Sequence, residues 1–180
     1  IISLVPEALD ALMEAGIPRD SIPLLAAGGI MDGRGVAAAL MLGANGACMG
    51  TRFLASLEAE ISQGYKDAVV DASDGGINTI RTTLYDRLRG TSGWPEGYNA
   101  RGVINKSLRD FEIGMDFEEN RRLYAEAMKL GDEGWGMERG RITTYAGTGI
   151  GLVKTVLPAG QIVQDTLEGA KLLILPRGGD

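Results

Sequence analysis

The sequence predicts an α/β fold with parallel strands. Two short apolar runs, "IPLLAAGGI" near residue 25 and "GACMG" near residue 48, each end on glycine. Each is followed by a segment with helical spacing, and the connections are short. The order strand, helix, strand, helix with such loops favours parallel pairing. The 180 residues suit one domain with a real core.

The elements follow in chain order. Pro6 to Ala15 carries apolar residues at helical spacing, with proline in the first turn and Gly16 placed to close it. Pro23 to Ala27 reads as a strand apolar on both faces, as in a parallel sheet. Asp32 stands where an N-cap is wanted, ahead of a helix over Arg34 to Leu42 that Gly43 ends. Ala47 to Met49 is the second strand, and a helix is expected from Glu58 to about Ala72. Beyond Asp74 the rhythm changes. "NTIRTTLY" is strand-like, residues 90–102 form a Gly/Pro-rich loop, and Phe117 to Leu130 is an amphipathic helix whose acidic start suits the helix dipole. "GDEGWGMERG" is a loop, Pro158 to Leu173 the last helix, and "PRGGD" a frayed end. Residues 1–74 and 75–180 are therefore expected to differ in architecture.

Composition narrows the function. A net charge of −6 argues against a general nucleic-acid binder, which needs a dense basic face. No apolar run approaches the roughly 18 residues of a membrane span, and the start has no basic region of a signal peptide, so the cytoplasm is the expected compartment. A single cysteine, Cys48, excludes an internal disulfide or a cysteine-based metal site. Histidine is absent, which removes the commonest general base. The chain begins with Ile1, as a piece of a longer protein would.

A glycine at the end of a parallel strand lets backbone approach a ligand, because no Cβ intervenes. Gly28 and Gly29 do this after the first strand. After the second, Gly50 bares its N–H, and Thr51 adds an amide and a hydroxyl at a helix start. One such turn is most simply a tight turn. Two in consecutive βα units read as a split phosphate site, the arrangement found after the last strands of (β/α)8 barrels. Arg52 could neutralise phosphate or face solvent, Arg34 is expected to face solvent, and Cys48 is expected inside the strand as an unreactive thiol. Trp94 and Trp135 are expected to plug a domain side. Asn78, Thr79 and Arg81 are polar enough to meet a ligand but match no motif.

The run "IPLLAAGGIMDGRGVAAALMLGANGACMGTRFLAS" closely resembles the last two βα units of nitronate monooxygenases, formerly 2-nitropropane dioxygenases. "YAGTGIGLVKTVLPAGQIVQDTLEGAKLL" resembles that family's closing segment. The resemblance implies the C-terminal portion of an FMN-dependent (β/α)8 barrel, its last two βα units, plus a mixed α/β C-terminal extension. The flavin phosphate contacts would fall on Gly29, Cys48, Met49, Gly50 and Thr51, with Gly28 adjacent. The family usually has glutamine where Cys48 stands, so its contact would be through backbone. Gly147 to Gly149 matches a glycine-rich turn that lies near the cofactor in the family.

The implied reaction oxidises an alkyl nitronate with molecular oxygen. The family's catalytic histidine, in a Gly-Gly-His motif, would precede residue 1, and with no histidine this chain cannot supply it. The missing N-terminal half of the barrel is the expected partner, and the chain alone is expected to be inactive. Alternative readings are a non-catalytic FMN- or phosphate-binding remnant, or a related enoyl-ACP reductase-like or IMP dehydrogenase-like barrel. For the last, Cys48 stands in the wrong place to serve as the catalytic cysteine.

Overall fold

The computed structural model describes residues 1–19, 21–91 and 93–175, so "PRGGD" lies outside the described residues. In chain order the elements are α1 (Leu4–Glu14), β1 (Leu25–Ala27), α2 (Gly33–Met41), β2 (Gly46–Cys48), α3 (Thr51–Leu54), α4 (Gln63–Asp71) and α5 (Gly75–Asn78). They continue with β3 (Thr79–Thr82), α6 (Leu84–Arg89), β4 (Ala100–Val103), α7 (Lys106–Glu112), α8 (Phe117–Lys129) and α9 (Ala159–Ile174). Two 3-10 turns, Gly131–Gly134 and Thr148–Leu152, complete the order. No described helix is long and apolar enough to cross a membrane.

The chain forms two compact units. The first comprises residues 1–58 and 157–180, the second 59–156. The change of architecture read near residue 74 therefore lies inside the second unit. The closing helix, assigned by sequence to the extension, packs with the first.

In the first unit β1 and β2 run parallel, with Leu25 beside Gly46, Ala26 beside Ala47 and Ala27 beside Cys48. Ala26 and Ile30 are buried with Val5, Ala39 and Ala44, and this small apolar core holds α1 and α2 against the pair. One expectation fails on β1. Leu25 is 61 % exposed, because only one face of this two-stranded sheet is covered. Helices α2 and α9 cross in close contact at Gly33, where an added Cβ would lie 2.4 Å from the Ala170 nitrogen.

Asp32 caps α2 as its position predicts, its Oδ1 accepting from the amides of Arg34 at 3.0 Å and Gly35 at 3.2 Å. Burial pushes its carboxyl up, but the Arg34 guanidinium and the two amides outweigh that and hold it below the ordinary value. A depressed carboxyl contributes stability above the unfolded value near 3.9 and loses it as pH falls through the folded value. Asp32→Ala is expected to cost about 1 kcal/mol at neutral pH. The gap from the parent chain should narrow at pH 3, as read by urea unfolding at the two pH values.

The helix expected from Glu58 starts only at Gln63. Residues 55–57 are instead held by Leu157. The Leu57 amide donates to the Leu157 carbonyl at 3.0 Å, and the Leu157 amide to that of Ala55 at 3.2 Å. The Ala159 amide in the first turn of α9 donates to Glu58 Oε2 at 2.7 Å.

In the second unit β3 and β4 pair antiparallel, Thr79 opposite Val103 and Thr82 opposite Ala100. Strand β4 begins inside the stretch read as loop. Gly102 disguises it, since an added Cβ would meet the Tyr85 ring at 2.9 Å. Helix α7 escapes the periodicity reading, although Asn105 caps it through the Leu108 amide at 3.3 Å. The core gathers Leu84, Tyr85, Leu88, Leu108, Tyr124, Ala127 and Ile142. Beside it lies a buried polar cluster in which Arg141 pairs with Asp110 and donates to Asn120 Oδ1 at 3.3 Å.

Candidate functional site

The parallel register decides the geometry. Because Ala27 stands beside Cys48, the two strands end level, about 4.8 Å apart as neighbouring strands are. The turns that follow, Gly28-Gly29 and Met49-Gly50-Thr51, therefore leave the same edge side by side. Gly28 and Gly29 have φ of +100° and +75°, a left-handed backbone that a residue with a Cβ resists. Gly50 differs, with φ −93° and ψ −66° at the start of α3, a conformation open to any residue.

What Gly50 contributes is room. A Cβ built there, or on Gly28, meets nothing within 4 Å. Gly28, Gly29 and Gly50 are exposed, and Thr51 is half-buried. Met49 packs its side chain on the first unit's core, which leaves its backbone for the turn. Cys48 requires a correction: its thiol is exposed rather than enclosed in the strand. The register explains it: Cys48 stands beside Ala27 on the same face as exposed Leu25, the face of the pair that nothing covers among the described residues.

The charged residues resolve differently from one another. Arg34 is exposed and donates from Nε to Asp32 Oδ2 at 2.8 Å, so it answers the loop's one carboxylate. Arg52 is buried, with Nη1 donating to the Ala55 carbonyl at 3.4 Å. Burial lowers its pKa, and Asp165 partly offsets this. The turns thus bring backbone amides and the Thr51 side chain to the carboxyl ends of β1 and β2.

The other candidates lie in the second unit. Asn78 accepts from the Asp74 amide at 3.0 Å. Thr79 donates to the Gly75 carbonyl and accepts from Arg101 at 3.1 Å. Arg81 is exposed, as is Trp94. Trp135 stacks at 4.8 Å on Tyr65 and packs on the second unit's core, the plugging role expected of it. Gly147 precedes the 3-10 turn whose Thr148 carbonyl lies against Gly75.

Sequence reasoning missed an apolar cleft of about 400 Å³ in the first unit. Val36, Leu40, Met49, Phe53, Val163 and Leu167 line it. Its two walls, α2 and α9, lie more than a hundred residues apart in the chain, so no local pattern announces it.

The comparisons agree with one another. The family model for nitronate monooxygenase matches residues 1–169. The chain is 56% identical over 173 residues to nitronate monooxygenase npaC of Metarhizium robertsii, covering 96% of this chain and 47% of that protein. It is 38% identical over 171 residues to a nitronate monooxygenase of Neurospora crassa, covering 95% of this chain and 43% of that one. Among solved structures, FabK from Thermotoga maritima superposes with a TM-score of 0.66 at 30% identity, over 96% of this chain and 49% of that one. Nitroalkane oxidase from Streptomyces ansochromogenes gives a TM-score of 0.64 at 28% identity, over 93% and 44%. The chain spans about half the length of the curated relatives it matches.

Proposed function

Because this chain belongs to the nitronate monooxygenase family, we propose that it carries the FMN phosphate grip of an oxidoreductase, as the C-terminal portion of a (β/α)8 barrel. The level ending of β1 and β2 on two glycine turns carries this reading. Parallel strands place ligands at their carboxyl ends, and paired loops there are a recurrent phosphate seat.

The residues fit a phosphate group. Space stands open before Gly28 and Gly50, and Arg34 already engages the Asp32 carboxylate. The amides of Gly29 and Gly50 and the Thr51 hydroxyl would hold the phosphate oxygens. The backbone of Cys48 and Met49 would set the height of the second turn. Bound FMN supplies the redox chemistry through which molecular oxygen oxidises an alkyl nitronate. This chain's part is to anchor the cofactor's tail, which fixes where its ring lies.

With no histidine in the sequence, the imidazole that the family resemblance implies near the substrate must come from another segment. The chain alone is expected to bind FMN and to leave nitronate unoxidised.

The test compares FMN with riboflavin, which lacks the phosphate, by fluorescence titration. FMN is expected to bind at least about tenfold more tightly, with inorganic phosphate competing; charge-assisted hydrogen bonds at about 1.5–3 kcal/mol each support that ratio. Equal binding of the two flavins would remove the phosphate grip from the proposal.

A further inference from the structure

We infer that Arg52 is a positioning residue for the phosphate seat proposed above, on which this role rests. Its buried guanidinium, bonded to the Ala55 carbonyl, ties the Gly50-Thr51 turn to the head of α9 and so braces the spacing of the two glycine turns.

A guanidinium keeps its charge wherever it is placed, and burying it is costly unless its donors and its charge are answered. Arg52 is 8% exposed, in the first turn of α3 and directly after Thr51. Its Nη1 donates to the Ala55 carbonyl at 3.4 Å. Ala55 caps the end of α3, where carbonyls have no partner within the helix. The same oxygen, with two lone pairs to give, accepts from the Leu157 amide at 3.2 Å. Across from it, the Asp165 carboxylate on α9 favours the buried positive charge.

This joint reaches both turns. Leu157 leads into α9, whose first-turn Ala159 amide donates to Glu58 Oε2 at 2.7 Å. Helix α9 lies on α2 at Gly33, so closely that an added Cβ would meet the Ala170 nitrogen at 2.4 Å. Gly33 in turn opens α2, just after the Gly28-Gly29 turn. Contacts therefore run from the Gly50-Thr51 turn through Arg52, Ala55 and Leu157 to α9, then to α2 and the first turn. The β1–β2 ladder sets the turns level, and this second path holds them from the helical side. Such bracing matters because a site loses grip when its donors drift by about half an ångström.

Positioning differs in its consequences from direct neutralisation of phosphate. A side chain acting only through its field could be lysine, which carries the same charge. One acting through a planar fork cannot. Removing a carboxylate near an anion site strengthens binding if only the field counts. Removing Asp165 weakens it if Arg52 must be held in place.

The test titrates FMN and riboflavin by fluorescence into Arg52→Lys and Asp165→Asn. Arg52→Lys is expected to bind FMN about tenfold more weakly, with riboflavin unchanged, as the loss of one such hydrogen bond implies. Its Leu157 amide should exchange faster in the unliganded chain. Asp165→Asn, at an exposed position, should weaken FMN about threefold, the scale of an exposed charge interaction. Glu168→Gln, another exposed carboxylate of α9, measures the field alone and should leave FMN bound no more weakly. Slow exchange at buried Ala39 reports that the first unit stays folded. If Arg52→Lys does not fold, the sign of the Asp165→Asn effect decides. Full FMN affinity in folded Arg52→Lys, unchanged or tighter binding in Asp165→Asn, or equal losses of FMN and riboflavin would each overturn the role of Arg52. Equal binding of the two flavins by the parent chain would instead remove the phosphate seat itself, whereas a preference for FMN that persists in both variants sinks Arg52 alone.

Discussion

Replacing Asp110 with leucine is expected to destabilise the second unit by about 3–5 kcal/mol, the usual cost of orphaning a buried charge. Asp110 and Arg141 are both buried, and the carboxylate also accepts from Lys106 Nζ at 3.0 Å. Without Asp110 the Arg141 guanidinium keeps its charge, since arginine does not shed its proton in proteins. Its side chain would retain the neutral Asn120 Oδ1 at 3.3 Å, a weak answer to a full charge. Asn120 cannot move freely to help, because its Nδ2 donates to the Ser107 carbonyl at 2.7 Å.

The double variant Asp110→Leu/Arg141→Met should recover most of the loss, because a pair replaced together leaves no uncompensated charge. Arg141→Met alone should cost less than Asp110→Leu, since Lys106 remains and a carboxyl can take up a proton. Burial raises the Asp110 pKa, but Lys106 and Arg141 outweigh it and bring the group below the ordinary carboxyl value. Its contribution is thus present above about pH 3.9 and fades as pH falls through the folded value. Urea unfolding of all four chains at pH 7 measures the coupling. Losses that simply add in the double variant would show that the pair does not hold this cluster.

Gly50→Asp is expected to weaken FMN binding about a hundredfold while leaving the fold intact. The backbone at Gly50 is accessible to any residue, and a new Cβ meets nothing within 4 Å. The substitution sets a carboxylate against the proposed phosphate and fills its space. A loss of about 3 kcal/mol corresponds to a hundredfold. Gly50→Ala separates the two causes, because it adds the Cβ without the charge and should lose less. The same change at Gly29 would be a poorer probe, since its φ of +75° strains any residue with a side chain. Fluorescence titration checks the binding, and circular dichroism checks the fold. Unchanged affinity in Gly50→Asp would place the phosphate elsewhere.

What was legible in the sequence was local. Asp32 announced its helix through its type and position. The Gly28-Gly29 pair announced a turn that only glycine adopts easily, and the βα order implied the parallel pairing that sets the turns level. The illegible parts depend on distant partners. Strand β4 hid behind Gly102, whose missing side chain makes room for the Tyr85 ring. The helix expected from Glu58 begins only at Gln63, just after a stretch that bonds through backbone to Leu157, a hundred residues later. Arg52 sat on a helix pattern that suited solvent or phosphate equally, and packing buried it. Cys48 looked enclosed because its run is apolar, yet enclosure depends on whatever covers the sheet face it shares with Leu25, and among the described residues that face is bare.

The pinning of residues 55–57 to Leu157 carries one more consequence. Residues 59–156 leave the first unit and return to it at nearly the same point, where the Leu57 amide meets the Leu157 carbonyl at 3.0 Å. A segment whose ends are already clasped is topologically an interchangeable cassette. The closure is made in the first unit's own backbone, as where one domain is inserted in another. Evolution could thus revise the cassette and the proposed phosphate seat on separate schedules.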